Sequence, residues 1–205
     1  MPRSSRIAQG RRSDLPWQAV AAGAPVVFTS SWWLLGSATP GYAQAPDTIS
    51  AVAAVGAPYA TPMLAAFLVQ GAGQLAGARL ALRDPGARWV AGWLTLGGVG
   101  TILAGVLRLP DEGGPQWLAT GHALAATAAF GGLHLAVLAG ACSTRVPRWL
   151  RLAAAGALAV ALPHLVWFLS DLPSGGGPWF GYAEKVFSTV LVVWCAALAI
   201  GRRRS

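Results

Sequence analysis

Apolar runs of roughly twenty residues recur along the whole length of this chain, and a helix of that length crosses about 30 Å of hydrocarbon at about 1.5 Å per residue. No other feature constrains the fold so strongly. A backbone in lipid must satisfy its own hydrogen bonds, so repeated runs of this length predict spanning helices. Composition agrees: of 205 residues, 55% are hydrophobic and only 11% charged, far below the usual quarter for a soluble domain. The formal charge of +8 could suit nucleic acid, but the arginines sit in short clusters between apolar runs, so no nucleic-acid partner is expected.

Six runs stand out, over residues 17–38, 61–82, 89–109, 117–141, 150–169 and 179–200. The expected fold is all-α: a polytopic transmembrane bundle of six spans. A basic tail covers residues 1–16, the membrane domain 17–201, and a second basic tail 202–205. Trp17, Trp89, Trp117, Trp149 and Trp179 mark run ends, as an interfacial aromatic belt would. Turn chemistry fills connections such as "RDPGAR", "LPDEGGP" and "DLPSGGGP". Of the 15 basic residues, all but Arg108 and Lys185 fall on one side of such a bundle. The bias of arginine and lysine toward the cytoplasm then predicts both termini inside, in a multi-pass protein of the cell membrane.

The first run has a rival reading. "YAQAP" follows it and resembles a signal-peptidase site, with arginines ahead of the run. Its length, Pro25 and its tryptophans favour a retained span. Small residues four apart mark packing faces: Gly73 with Gly77, Gly97 with Thr101 and Gly105, and Gly132 with Ala136 and Gly140. Bundle packing is preferred there over a dedicated dimer interface, though a homo-oligomer stays open. Cys142 and Cys195 make no disulfide framework or metal knuckle and are expected as reduced thiols.

Ionisable residues inside spans are costly and point to function. His122, His164 and Glu184 lie five or six residues in from the same expected side, roughly 7–9 Å deep. Arg108, Asp111 and Lys185 sit near that level. Adjacent helical residues point about 100° apart, so Glu184 and Lys185 cannot pair with each other. Glu184 is expected inward, beside Ser188 and paired with Arg108 or a histidine; Lys185 is expected to snorkel outward. A solvated interfacial anchor is the competing reading. His134, in the middle of the fourth run, is expected to bond across helices.

The segments "DTISAVAAVGAPYATPMLAAFLVQGAG", "LRLPDEG", "GHALAATAAF" and "GYAEKVF" resemble the domain of unknown function 998 family, over about residues 17–203. Its members are six-span membrane proteins of bacteria and archaea, distantly similar to the Frag1/DRAM/Sfk1 group. The resemblance maps onto Asp47, Ile49 and Ser50, then Pro110 and Asp111, His122, and Glu184 with Lys185. It implies a retained first span and motif residues on the outer side. Asp47 stands where asparagine is usual and Lys185 where arginine is, and lysine cannot clamp an anion bidentately.

The resulting expectation is a polar cluster under the outer leaflet: Asp47, Ser50, Arg108, Asp111, His122, His164, Glu184 and Lys185. It would bind a lipid or small molecule, with no cofactor and no dedicated metal site. Three other classes stay open: a transporter subunit, a metal-dependent membrane hydrolase using His122, His164, Glu184 and Asp111, and a structural membrane protein. No HExxH-type spacing supports the hydrolase.

Overall fold

The computed structural model describes residues 3–110 and 114–201, with side chains from residue 14 onward. Six long helices and one short one account for most of them: α1 Arg3–Ala38, α2 Ile49–Val52, α3 Ala60–Ala81, α4 Arg88–Val106, α5 Gln116–Cys142, α6 Arg148–Asp171 and α7 Phe180–Gly201. Each expected run is one long helix, and α1 begins well ahead of its apolar part. Pro25 in α1 and Pro163 in α6 each remove one backbone donor, yet both helices continue. Within a membrane a helix has no water to break toward, and neighbours hold it.

Among the described residues, five helices are long and apolar enough to cross a membrane: Asp14–Ala38, Pro85–Val106, Gln116–Cys142, Arg148–Ser174 and Phe180–Gly201. Helix α3 matches them in length at 22 residues, but Gln70, Gln74 and Arg79 dilute its apolar character. Large apolar side chains such as Leu34, Leu124 and Val166 stand exposed on the bundle's outside. A soluble protein rarely shows so much apolar surface, whereas lipid accepts it. The chain is a multi-pass membrane protein.

The helices close a ring in which α1 packs on α3, α3 on α4, α4 on α5, α5 on α6, α6 on α7, and α7 back on α1. Helix α7 also reaches α3 and α5, and it is the most enclosed of the spans. Two sets of loops gather at opposite ends. One end carries Asp14 paired with Arg83, and Ser143 bonded to the Gly86 carbonyl. The other carries the 39–59 segment, tied by Val55 N–H to the Leu109 carbonyl. The larger core runs through α3 to α7 around Leu94, Val137, Leu150, Phe187 and Leu191. A smaller one, beneath α2, joins Phe28, Trp32, Ile49, Val52, Met63 and Phe67.

The small-residue faces are packing surfaces within one chain. A methyl placed on Gly132 would meet the backbone of Gly97 and Trp93, and one on Gly100 would meet that of Ala129 and Ala125. Helices α4 and α5 therefore touch main chain to main chain. Gly132→Ala is expected to destabilise the fold by about 1–3 kcal/mol through overpacking, read as a lower unfolding midpoint in detergent. Gly131, with open space around its Cβ position, is the control expected to tolerate alanine.

One expectation fails here. His134 does not bond across helices: its Nδ1 lies 2.8 Å from the Phe130 carbonyl of its own helix, and its ring packs on Phe187 at 5.7 Å. An i−4 carbonyl is always within reach of a helical side chain, so local geometry supplies the partner first. Cys142 is exposed and Cys195 buried, both free thiols.

Candidate functional site

The first turns of α7 hold a strap formed by residues 44–49. A helix begins with N–H groups that lack intrahelical partners. Here Gly181 N–H donates to the Pro46 carbonyl at 3.1 Å and Tyr182 N–H to the Ala45 carbonyl at 2.7 Å. The flanking carbonyls go to Lys185, whose Nζ donates to Gln44 O at 2.8 Å and also to Asp47 O. Four consecutive carbonyls of the strap are thus received by one helix end. Glu184 completes the grip with the opposite polarity: its Oε2 accepts the Ile49 N–H at 2.7 Å, across 135 residues of sequence.

Tyr42 braces the strap from behind. Its hydroxyl proton is shared between Asp47 O at 3.2 Å and Thr48 O at 3.1 Å. Burial, then the Glu184 and Asp47 charges, push this phenol well above its ordinary range, so it stays a donor. The Lys185 ammonium lies 5.1 Å from the Tyr42 ring centre and 5.8 Å from that of Trp32, within cation–π reach. The Asp47 carboxylate turns back to its own loop and accepts Ala43 N–H at 2.7 Å.

Beside the strap lies a groove of about 470 Å³ between α5, α6 and α7. Phe130, Phe168, Phe180 and Leu165 give it an apolar wall, with Phe168 stacked on Phe180 at 4.3 Å. Its polar lining is Thr48, Ser50, His122, Thr127 and Glu184. Ser50 and Glu184 also face a cavity of about 30 Å³ on the inner side, among Gln70, Gln74, Thr101 and Ser188. That space can hold a water molecule. Gln70 Oε1 and Gln74 Nε2 are buried there without a hydrogen-bond partner among the described residues. Ser188 on the Glu184 face was expected from helical spacing.

Of the residues singled out in the sequence, the structure gathers Asp47, Ser50, His122, Glu184 and Lys185 around the strap and groove. Glu184 points inward as expected, but its hydrogen-bond partner is a backbone N–H, neither an arginine nor a histidine. Lys185 does not snorkel outward and is only 5% exposed. The reason is the placement of α7: the strap and α1 cover the face that would otherwise meet headgroups. Arg108, half-buried, makes no ion pair with any described residue, and it does not line the groove. His164 bonds the Val160 carbonyl of its own helix at 2.8 Å and faces Trp167 and Tyr182, away from the groove. Asp111 lies outside the described residues. Among the described residues no group of three or more His, Cys, Asp or Glu side chains comes together as a metal-ligand set.

A family model described as a protein of unknown function, DUF998, matches residues 21–201. The chain belongs to the DUF998 family. No curated protein and no solved structure matches it. The family match opens inside α1, whose Phe28 and Trp32 form the DUF998 chain's smaller core together with α2. Two stretches quoted as separate family motifs, at 47–50 and 184–185, prove to be the two halves of one clamp. Sequence reasoning missed Tyr42, Gly181 and the glutamine pair of this DUF998 protein. Gln70 and Gln74, four apart in an apolar helix, did carry a legible signal: shared helical face and high burial cost. Tyr42 and Gly181 carried none, because their roles depend on a loop docking on a distant helix.

Proposed function

We propose that this DUF998 protein spans the cell membrane six times with both termini in the cytoplasm, and binds a lipid or lipid-like small molecule in the α5–α6–α7 groove near the outer leaflet. The carrying observation is the groove itself. It offers about 470 Å³ of mostly apolar space, with the buried Glu184 carboxyl, the His122 imidazole and the hydroxyls of Thr48 in the strap and Ser50 in α2 at one wall. Ligand sites combine an apolar volume of this size with a few convergent polar groups. The sixth span is α3, whose length suffices and whose two glutamines turn into the bundle. The loops with clustered arginines share the end opposite the strap, where Arg108 alone breaks the pattern, and the bias of arginine toward the cytoplasm supports an outer position for the groove.

The test is native mass spectrometry of the detergent-purified protein beside Ala123→Phe. Ala123 is an exposed residue of the groove, so a ring added there takes up ligand space without crowding the core. A bound lipid is expected on the unaltered protein and lost from the variant at unchanged unfolding midpoint. Equal lipid retention in both would sink the proposal.

A second reading has an observation of its own. The strap takes up Lys185 and one oxygen of Glu184, so the charged pair also serves as a structural clamp. In that reading, groove-filling variants leave every cellular phenotype intact, while strap variants remove the protein.

A further inference from the structure

The groove's polar wall has a definite hydrogen-bonding sense. His122 Nδ1 lies 3.0 Å from Ala104 O, in the last turn of α4, and 2.8 Å from Leu107 O, the residue just past its end. A carbonyl only accepts, so Nδ1 carries a proton, and Nε2 is the ring nitrogen left to the groove. Glu184 commits Oε2 to Ile49 N–H, while Oε1 accepts no hydrogen bond from the described residues. Glu184 lines both the groove and the small inner cavity. No lysine or arginine is among the groove's lining residues, and the Lys185 ammonium is turned to the strap carbonyls. Among the described residues the wall therefore offers a carboxyl oxygen and an imidazole nitrogen, with no lysine or arginine beside them.

We propose that the groove selects single-chain amphiphiles whose head donates hydrogen bonds, with a primary ammonium preferred, a hydroxyl next and a carboxylate refused. This deepens the proposed function and rests on it. An ammonium placed beside Glu184 gains a charge-assisted bond to the carboxylate it pairs with, while an anionic head meets that carboxyl and finds no lysine or arginine in the lining. The apolar part of such a molecule has the phenylalanine wall to lie on. An anion site built from histidine, arginine and lysine does not form here, because Arg108 and Lys185 are absent from the lining.

The experiment uses the full-length protein in detergent at neutral pH and a photoreactive alkyl diazirine crosslinked into the groove. Dodecylamine, dodecanol and dodecanoate, matched in chain length, are titrated as competitors. Dodecylamine is expected to displace the probe at a concentration about tenfold or more below that of dodecanoate, with dodecanol between them. In Glu184→Gln the amine is expected to lose its advantage over the alcohol. The ranking in the unaltered protein decides the matter even where that variant does not accumulate. Dodecanoate competing as well as dodecylamine would overturn the donor preference and leave the lipid groove standing. A probe that crosslinks nowhere in the groove, or that no competitor displaces, would remove the proposed function itself.

Discussion

Lys185→Met is expected to cost about 3–5 kcal/mol of folding stability. Methionine keeps the length of the side chain and removes its three donors. The Gln44 carbonyl then loses its partner, the Asp47 carbonyl keeps only the Tyr42 hydroxyl, and Glu184 remains buried at 3% exposure beside a vanished positive charge. Unfolding of the purified protein in a rising mole fraction of sodium dodecyl sulfate measures this directly. Lys185→Arg is the control. Its fork can donate to both carbonyls, so most of the stability is expected to return. The result that contradicts the clamp is a loss for Lys185→Met below about 1 kcal/mol, the scale of an exposed ion pair. A double variant with Glu184→Leu is expected to lose less than the two single losses added together, because removing both charges leaves neither unpaired.

Gly181→Ala is expected to lower stability by about 3 kcal/mol, the upper end of what overpacking costs. A methyl at this position falls on the backbone carbonyl of Asp47. Main chain cannot rotate aside as a side chain can, so either the strap lifts from α7 or the helix start shifts. Both break the Gly181 N–H bond to Pro46 O, and the grip of Glu184 and Lys185 depends on the same approach. The second readout is local. Amide exchange at Ile49 and in the 43–48 segment is expected to rise before exchange in α4 or α5 does. Unchanged protection of Ile49 in this variant would show that the strap is held from elsewhere. Gly23 in α1, with open space around it, is the matched position where alanine is expected to be harmless.

Much of the architecture was legible because it rests on counting. Apolar runs near twenty residues long, bounded by tryptophan and turn residues, mark helices whatever they pack against. All six long helices fall on the expected runs, within a few residues of their ends, apart from the early start of α1. The faces of small residues were legible for the same reason: Gly97 and Gly132 line up by helical period, and the structure presses them together. The Glu184–Ser188 face also followed from spacing alone.

The strap was not legible. Residues 44–49 read as an ordinary loop, and their chemistry is almost wholly that of the backbone, which every sequence possesses. Nothing local says that Ala45 O and Pro46 O will meet the start of a helix about 135 residues later. For the same reason Lys185 was placed outward. Its periodicity gave a face, but which face meets lipid depends on where α7 sits in the ring.

By itself, then, the sequence determined the membrane class, the number and extent of the long helices, the clustering of arginine in alternate loops and the small-residue contact faces. Each follows from length, period or charge, which act the same way in any bundle. Only the tertiary structure decided that α7 is enclosed, that Glu184 and Lys185 grip one strap with opposite polarity, and that His122 bonds through Nδ1 to the Ala104 and Leu107 carbonyls beside the groove. Those outcomes depend on which backbone carbonyls and N–H groups come within 3 Å of a side chain, and long-range docking alone sets such distances.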